Sequence, residues 1–198
     1  GFVLVTGFVL TSGSFTYGGT ANLNDGVLPL FTHTAGTVTL NKSMSLVTSG
    51  TAGAGTYTFT AGTLTLADGA TLTTGIFSST NTNTRLLAFG TGSMSLSHPT
   101  AATVVLSMAT ATFFNCTGTG GFTVAAMSVT RTFTFGTSGT GWSNAPNLTF
   151  TTGASVATIT TLGSFDKLNF GTTSFNPGAI TVNVAGLTLS SSGTYTTL

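Results

Sequence analysis

The feature that most constrains the fold of this chain is its near lack of charged side chains. Only 4% of its 198 residues are Asp, Glu, Lys or Arg, and glutamate is missing altogether, whereas ordinary soluble domains carry about 25%. Helical surfaces are normally solvated by Glu, Lys, Gln and Arg. Thr, Ser, Asn and Gly instead favour strands and turns. The sequence therefore predicts an all-β protein whose surface is made polar by hydroxyl and amide groups.

The charge and hydropathy patterns do not favour a membrane or a nucleic acid as partner. No uninterrupted apolar run approaches the roughly 18 to 20 residues that a transmembrane helix requires. The formal net charge is +1 and the four cations are scattered along the chain, so the basic stripe of a nucleic-acid-binding protein is missing. The 16 phenylalanines are expected in the core. We expect neither membrane insertion nor nucleic-acid binding.

Short runs in which an apolar residue alternates with Thr or Ser recur along the whole chain. Examples are residues 37–40, 56–59, 63–66, 132–135 and 180–184. Alternation with a period of two is typical of half-buried strands. Clusters of Gly, Ser and Thr between these runs predict turns. No segment has the period of an amphipathic helix.

One segment repeats, and the repeat predicts the architecture. Residues 35–40, Ala-Gly-Thr-Val-Thr-Leu, return 26 residues later as Ala-Gly-Thr-Leu-Thr-Leu. A repeat of this length is typical of a solenoid. We predict a parallel β-helix (β-solenoid) with irregular coils over residues 35–198, a piece of a longer chain, preceded by a β segment over residues 1–34 that matches the repeat poorly. An antiparallel β-sandwich or jelly roll is the alternative, because regularly spaced turns also fit that fold.

Two stretches resemble a known class of proteins. Residues 75–89, which end their Ser/Asn-rich part in Thr-Arg before Leu-Leu-Ala-Phe, lead into the Gly-Thr-Gly turn and strand of residues 90–96. Residues 130–136 and 143–148 look like a second unit of this kind. The pattern resembles repetitive segments of bacteriophage tail-fibre and virion-associated proteins. This resemblance implies a β-solenoid block of a virion fibre that inherits no catalytic motif.

The acidic residues make an enzyme the weakest interpretation. Hydrolysis of a polysaccharide usually requires two carboxylates about 5 to 9.5 Å apart, and the chain has three aspartates. Asp25 and Asp68 form the best pair if they lie on one face of a solenoid. Both precede glycine in turn sequences, where an aspartate commonly caps its own backbone. We therefore expect no catalytic residue, and a polysaccharide-degrading enzyme that uses this pair ranks third among the functions.

The histidines and the cysteine indicate no metal site. His33 and His98 have no His, Cys or carboxylate nearby at ligand spacing. Cys116 is the single cysteine and is expected to be a small buried apolar residue. We expect no metal and no cofactor.

Four other residues are candidates for contacts. Arg85 and Arg131 each stand just before a predicted strand. We expect them to stay exposed or to bond turn carbonyls at coil corners, with an inter-subunit or carbohydrate contact as the alternative. Trp142 and Asn144 lie in a predicted loop. A tryptophan there can stack on a sugar or fold over the neighbouring turn, and the sequence leaves both open.

Together these patterns predict a structural segment of an extracellular or virion fibre that supports attachment to a host or surface. A nearly neutral surface tends to associate, so we expect self-association or contact with other fibre proteins. A carbohydrate-binding or cell-adhesion module that recognises host surface glycans is the alternative function.

Overall fold

The computed structural model describes residues 7–18, 28–48, 51–99, 103–108, 113–124, 131–135, 147–150, 158–161, 164–169 and 183–188. In chain order, the strands among these residues are β1 (Phe8–Leu10), β2 (Ser14–Tyr17), β3 (Leu30–His33), β4 (Thr37–Leu40), β5 (Met44–Ser45), β6 (Val47–Thr48), β7 (Thr51–Ala52), β8 (Thr56–Phe59), β9 (Gly62–Leu66), β10 (Thr71–Thr74), β11 (Ile76–Ser78), β12 (Arg85–Ala88), β13 (Ser93–Leu96), β14 (Thr103–Met108), β15 (Phe114–Thr117), β16 (Gly121–Val124), β17 (Arg131–Phe135), β18 (Asn147–Phe150), β19 (Thr158–Thr161), β20 (Ser164–Asn169) and β21 (Asn183–Thr188). Within these ranges no helix is long and apolar enough to cross a membrane.

The strands form three parallel sheets that wind around one axis. The first face is ordered β1-β3-β8-β11-β14-β17-β19, the second β2-β4-β9-β12-β15 and the third β5-β10-β13-β16-β18-β20-β21. Each strand therefore pairs with the equivalent strand of the next coil, and β3 to β5, β8 to β10, β11 to β13 and β14 to β16 make four coils with all three faces. The predicted parallel β-solenoid is confirmed. The alternative antiparallel sandwich is wrong, because β6 and β7 form the one antiparallel pair in the described ranges.

The coils differ in length, and the sequence repeat coincides with one turn of the solenoid. Thr37 pairs with Thr63, 26 residues later, and Leu40 pairs with Leu66. Thr56 and Ile76 are only 20 residues apart on the first face. Arg85 and its partner on the next coil are 29 apart. Irregular coils are therefore confirmed, because strand positions stay in register while the corners take up the extra residues.

The stacked sheets begin before residue 35. Phe8 pairs with Phe31 on the first face, and Phe15 pairs with Val38 on the second. The boundary expected after residue 34 thus coincides with no break in the sheets. A coil needs only apolar residues at its inward positions, so the first coil can stack although its sequence repeats poorly.

Inward side chains form ladders that run along the axis. On the first face the rings of Phe31 and Tyr57 stack with their centroids 4.9 Å apart, and Phe77 follows on the next coil. Val38, Leu64 and Leu87 stack in the same way behind the second face, where they are fully buried. Burial of apolar surface contributes about 25 cal/mol per Å², so these ladders are the main source of stability that side chains supply.

Glycine makes the tight corner before the second face. Gly13, Gly36 and Gly62 occupy equivalent positions on three coils with φ of +80°, +90° and +97°. This region of φ is unfavourable for other residues. A Cβ atom on Gly62 would also lie 2.1 Å from the carbonyl oxygen of Gly36. Successive coils can therefore approach each other this closely at the corner only because these glycines carry no side chains.

Candidate functional site

Arg85 holds the loop between β11 and β12 against the solenoid interior. Its side chain is completely buried. Nε donates to the carbonyl of Asn83 at 2.9 Å, Nη2 to the carbonyl of Asn81, and Nη1 to the carbonyl and hydroxyl oxygens of Ser79. Its Cζ also lies 5.3 Å from the ring centroid of Phe114. The partners of the guanidinium named here are therefore all groups of the same chain.

The burial of Arg85 determines what its charge can do. Desolvation lowers the pKa of its guanidinium to about 10, so the group stays charged at neutral pH. Charge-assisted hydrogen bonds to carbonyl oxygens are stronger than neutral ones. A side chain with no exposed surface cannot touch a sugar or a second chain directly. The role that this geometry supports is to hold the loop of residues 79–83 in place from inside the solenoid.

The described part of the structure includes little of the other contact candidates. Arg131 begins β17 on the first face, and its side chain is outside the described part of the structure. Trp142 and Asn144 lie outside the described residues, as does Asp25.

Asp68 is an exposed turn residue that links two coils. Its Oδ1 accepts a hydrogen bond from the backbone amide of Thr91 at 3.0 Å. In return, the hydroxyl of Thr91 accepts from the amide of Gly69 at 3.1 Å. We expected this aspartate to cap its own turn, but its partner is the turn of the next coil, 23 residues later. Local sequence could not reveal this, because the two turns become neighbours only through stacking.

His33 is buried in the core beside Tyr57. Its Nε2 lies 3.1 Å from the carbonyl oxygen of Gly36 and its Nδ1 lies 3.1 Å from the Tyr57 hydroxyl. A carbonyl only accepts, so Nε2 carries the proton and Nδ1 accepts from the tyrosine. Burial lowers the pKa of His33 and raises that of Tyr57. Both groups are therefore neutral at pH 7.

The described residues contain no group of three or more metal-ligating side chains. Cys116 is buried, and burial raises the pKa of its thiol well above the usual value. A thiol in this state is a poor nucleophile.

A shallow depression of about 190 Å³ lies at the corner between the second and third faces. Five of its lining side chains carry hydroxyl groups, namely Thr91, Ser93, Thr119, Thr123 and Thr149. Gly92, Gly120, Gly121 and Phe122 complete the lining. The depression can offer hydrogen bonds to a small polar molecule.

A second surface was not singled out from the sequence. On β2, β4 and β9 the outward positions of the second face are occupied by hydroxyl side chains in two columns. We call this set the hydroxyl face; it consists of Ser14, Thr16, Thr37, Thr39, Thr63 and Thr65. The repeated Ala-Gly-Thr-x-Thr-Leu segment supplies two of its three rows. The row on β2, in Ser-Gly-Ser-Phe-Thr-Tyr, follows the same pattern and could have been found by allowing Ser for Thr.

The hydroxyls of this face are not used to hold the fold together. Among the residues that the structure describes, none of these six side-chain hydroxyl groups forms a hydrogen bond with a protein atom. Outward hydroxyls of the third face differ, because those of Thr71 and Ser93 lie 3.3 Å apart and that of Thr123 lies 3.4 Å from a carbonyl oxygen. The third face is also partly covered where Ser97 bonds to the carbonyl of Gly53, just after the β6–β7 hairpin. Within the described residues, the hydroxyl groups of the hydroxyl face therefore remain available to a partner outside the chain.

Searches against protein-family models, curated proteins and solved structures gave no match to this chain.

Proposed function

We propose that this chain is a structural segment of an extracellular or virion fibre, in which strand stacking makes a stiff spacer that supports attachment to a surface. The observation that carries this proposal is the continuous stack of parallel strands, which extends through seven strands on the first face and seven on the third. Each coil contacts chiefly its neighbours in such a stack, so length is gained by adding coils without changing the packing.

The surface chemistry supports the same function. With 4% charged residues, the surface relies on hydroxyl and amide groups that stay neutral at any pH outside the cell. The guanidinium of Arg85 is buried, which leaves three other Lys and Arg residues as sites for proteases that cut after cations. A surface that stays neutral and a small number of protease cleavage sites both suit a fibre segment outside the cell.

The proposal is tested by the shape and assembly of the purified chain. Negative-stain electron microscopy and analytical ultracentrifugation over a range of concentrations should reveal elongated particles that associate end to end or side by side. A particle that remains a compact monomer at all concentrations, and that releases reducing ends from a polysaccharide, would contradict it.

A carbohydrate-binding module is the second candidate, and the depression lined by Thr91, Ser93 and Thr123 favours it. A glycan array probed with the wild-type chain and with the Thr123→Val variant tests this function. Binding that Thr123→Val weakens, and that Thr58→Val on the first face does not, would support a sugar site there. Binding that neither variant changes would place any sugar contact elsewhere.

A further inference from the structure

We propose that the hydroxyl face binds the ordered water of an ice crystal. This function is independent of the fibre role, because it requires the array of outward side chains and does not require assembly.

The hydroxyl groups of this face form a regular array. Ser14 pairs with Thr37 and Thr37 with Thr63, while Thr16, Thr39 and Thr65 form the second column, with no register shift in either column. Adjacent parallel strands lie about 4.8 Å apart and alternate residues of one strand about 6.6 Å apart. The face therefore presents hydroxyls on a two-dimensional grid. Both repeats are of the same order as the spacings between oxygen rows at an ice surface.

The backbone and side chains of the hydroxyl face are also held rigidly. Both ends of the middle row are held by bonds between coils, from the amide of Thr37 to the carbonyl of Gly13 and from that of Asn41 to Tyr17, at 2.9 and 2.8 Å. Threonine is branched at Cβ and has few side-chain rotamers. An array that is already ordered loses little entropy when it holds water in fixed positions.

The outward side chains of the hydroxyl face are accessible, since Ser14, Thr16 and Thr37 are exposed and Thr39, Thr63 and Thr65 are half-buried. At the corner before this face, Gly36 packs directly against Gly13 and Gly62 against Gly36, which keeps successive rows close together. On the next coil, Leu86 and Ala88 continue the two columns opposite Thr63 and Thr65. A solid surface can therefore reach side chains of all three rows.

The chemistry of the face selects ice over other partners. Each threonine offers one hydroxyl and one methyl group, and no charged residue lies in the three rows. Ice is a neutral lattice of hydrogen-bond donors and acceptors. A sugar chain is usually held by an exposed aromatic ring, and a protein partner by a cluster of aromatic or arginine side chains. The outward positions of the three rows hold neither.

Thermal hysteresis and ice-crystal growth of the purified chain test the proposal directly. The wild-type chain should shape ice crystals and keep them from growing below the melting point. Thr39→Tyr, which places a bulky ring at the centre of the face, should abolish most of this effect. The matched control is Thr58→Tyr on the first face, where the neighbours Thr32 and Ser78 are also hydroxyl residues. It should retain wild-type activity.

A second set of measurements separates the possible outcomes. Circular dichroism melting of both tyrosine variants verifies that they fold, and Thr39→Ser and Thr39→Val separate the methyl from the hydroxyl contribution. Wild-type protein without effect on ice growth would overturn the proposal. So would equal losses in Thr39→Tyr and Thr58→Tyr, or a chain that binds crystalline cellulose or dimerises through this face and leaves ice unaffected.

Discussion

Arg85 connects a loop to the solenoid through the carbonyl oxygens of Ser79, Asn81 and Asn83. The loop is also bonded to the preceding coil, because the hydroxyl of Ser79 and the side-chain Nδ2 of Asn81 donate to the carbonyl of Phe59 at 2.8 and 3.2 Å. The guanidinium therefore fixes a part of the chain that contributes few apolar contacts of its own.

Replacing this guanidinium should destabilise the fold strongly. In Arg85→Met the apolar stem remains, but buried carbonyl oxygens lose charged donors, and we expect the free energy of unfolding to fall by about 3 kcal/mol. Urea unfolding followed by circular dichroism measures the loss. Lys42→Met removes an exposed cation and should change stability by less than about 0.5 kcal/mol. Equal effects of the two substitutions would show that the hydrogen bonds of the Arg85 guanidinium contribute nothing to stability.

His33 should make stability depend on pH. Burial lowers the pKa of its imidazole, while in the unfolded chain the value is near 6.5. The unfolded state therefore binds the proton more readily, so stability is complete above about pH 6.5 and decreases as the pH falls below it. Urea midpoints from pH 7.5 to 5 should reveal this decrease. His33→Phe should remove most of it, and an unchanged slope in that variant would exclude His33 as its cause.

Residue roles were the least predictable part of the chain. The position of Arg85 before a strand indicated a corner contact, but its complete burial depends on how residues 79–83 wrap around it. The partner of Asp68 is likewise a residue of the next coil. Such contacts depend on which coils become neighbours, and local sequence does not contain this information.

At the scale of strands and corners, most of the fold could be predicted from the alternation of apolar residues with Thr or Ser and from the repeated segment. The repeated segment at residues 35–40 and 61–66 occupies stacked strands with its threonines facing outward. By contrast, the short β6–β7 hairpin and the register shift between Val104 and Leu106 were not predicted. Both are departures from regular alternation, and a period-two pattern cannot indicate where it is interrupted.

The corner glycines offer a matched test of stacking. Gly62 and Gly69 have φ of +97° and +73°, but only the first would place a Cβ against another coil, since nothing lies within 4 Å of a Cβ on Gly69. Gly69→Ala should cost about 1 to 2 kcal/mol for the unfavourable backbone region alone. Gly62→Ala should cost clearly more, because the corner must also open. Thermal melting compares the two, and similar losses would show that close stacking at this corner is unimportant.

For the whole molecule, composition was sufficient to predict the class of fold and insufficient to predict the function. A chain with few charges must satisfy its backbone internally and keep its surface polar with neutral groups, and a parallel solenoid does both. The same composition suits a spacer, an adhesive module or an ice-binding surface. These functions differ in which outward face is used, and that choice becomes visible only when the strands are in register.

The scarcity of charge should also make the stability of the whole molecule insensitive to salt. Screening by added ions weakens interactions between exposed charges, and this chain has four Lys and Arg and three Asp in 198 residues. Exposed ion pairs contribute little even where they exist. We therefore expect the melting temperature at pH 7.5 to change by less than about 2 °C between 50 and 500 mM NaCl. Differential scanning calorimetry measures this directly. A large decrease with salt would mean that ion pairs stabilise the fold and would contradict the view that backbone pairing and buried ladders hold the coils together.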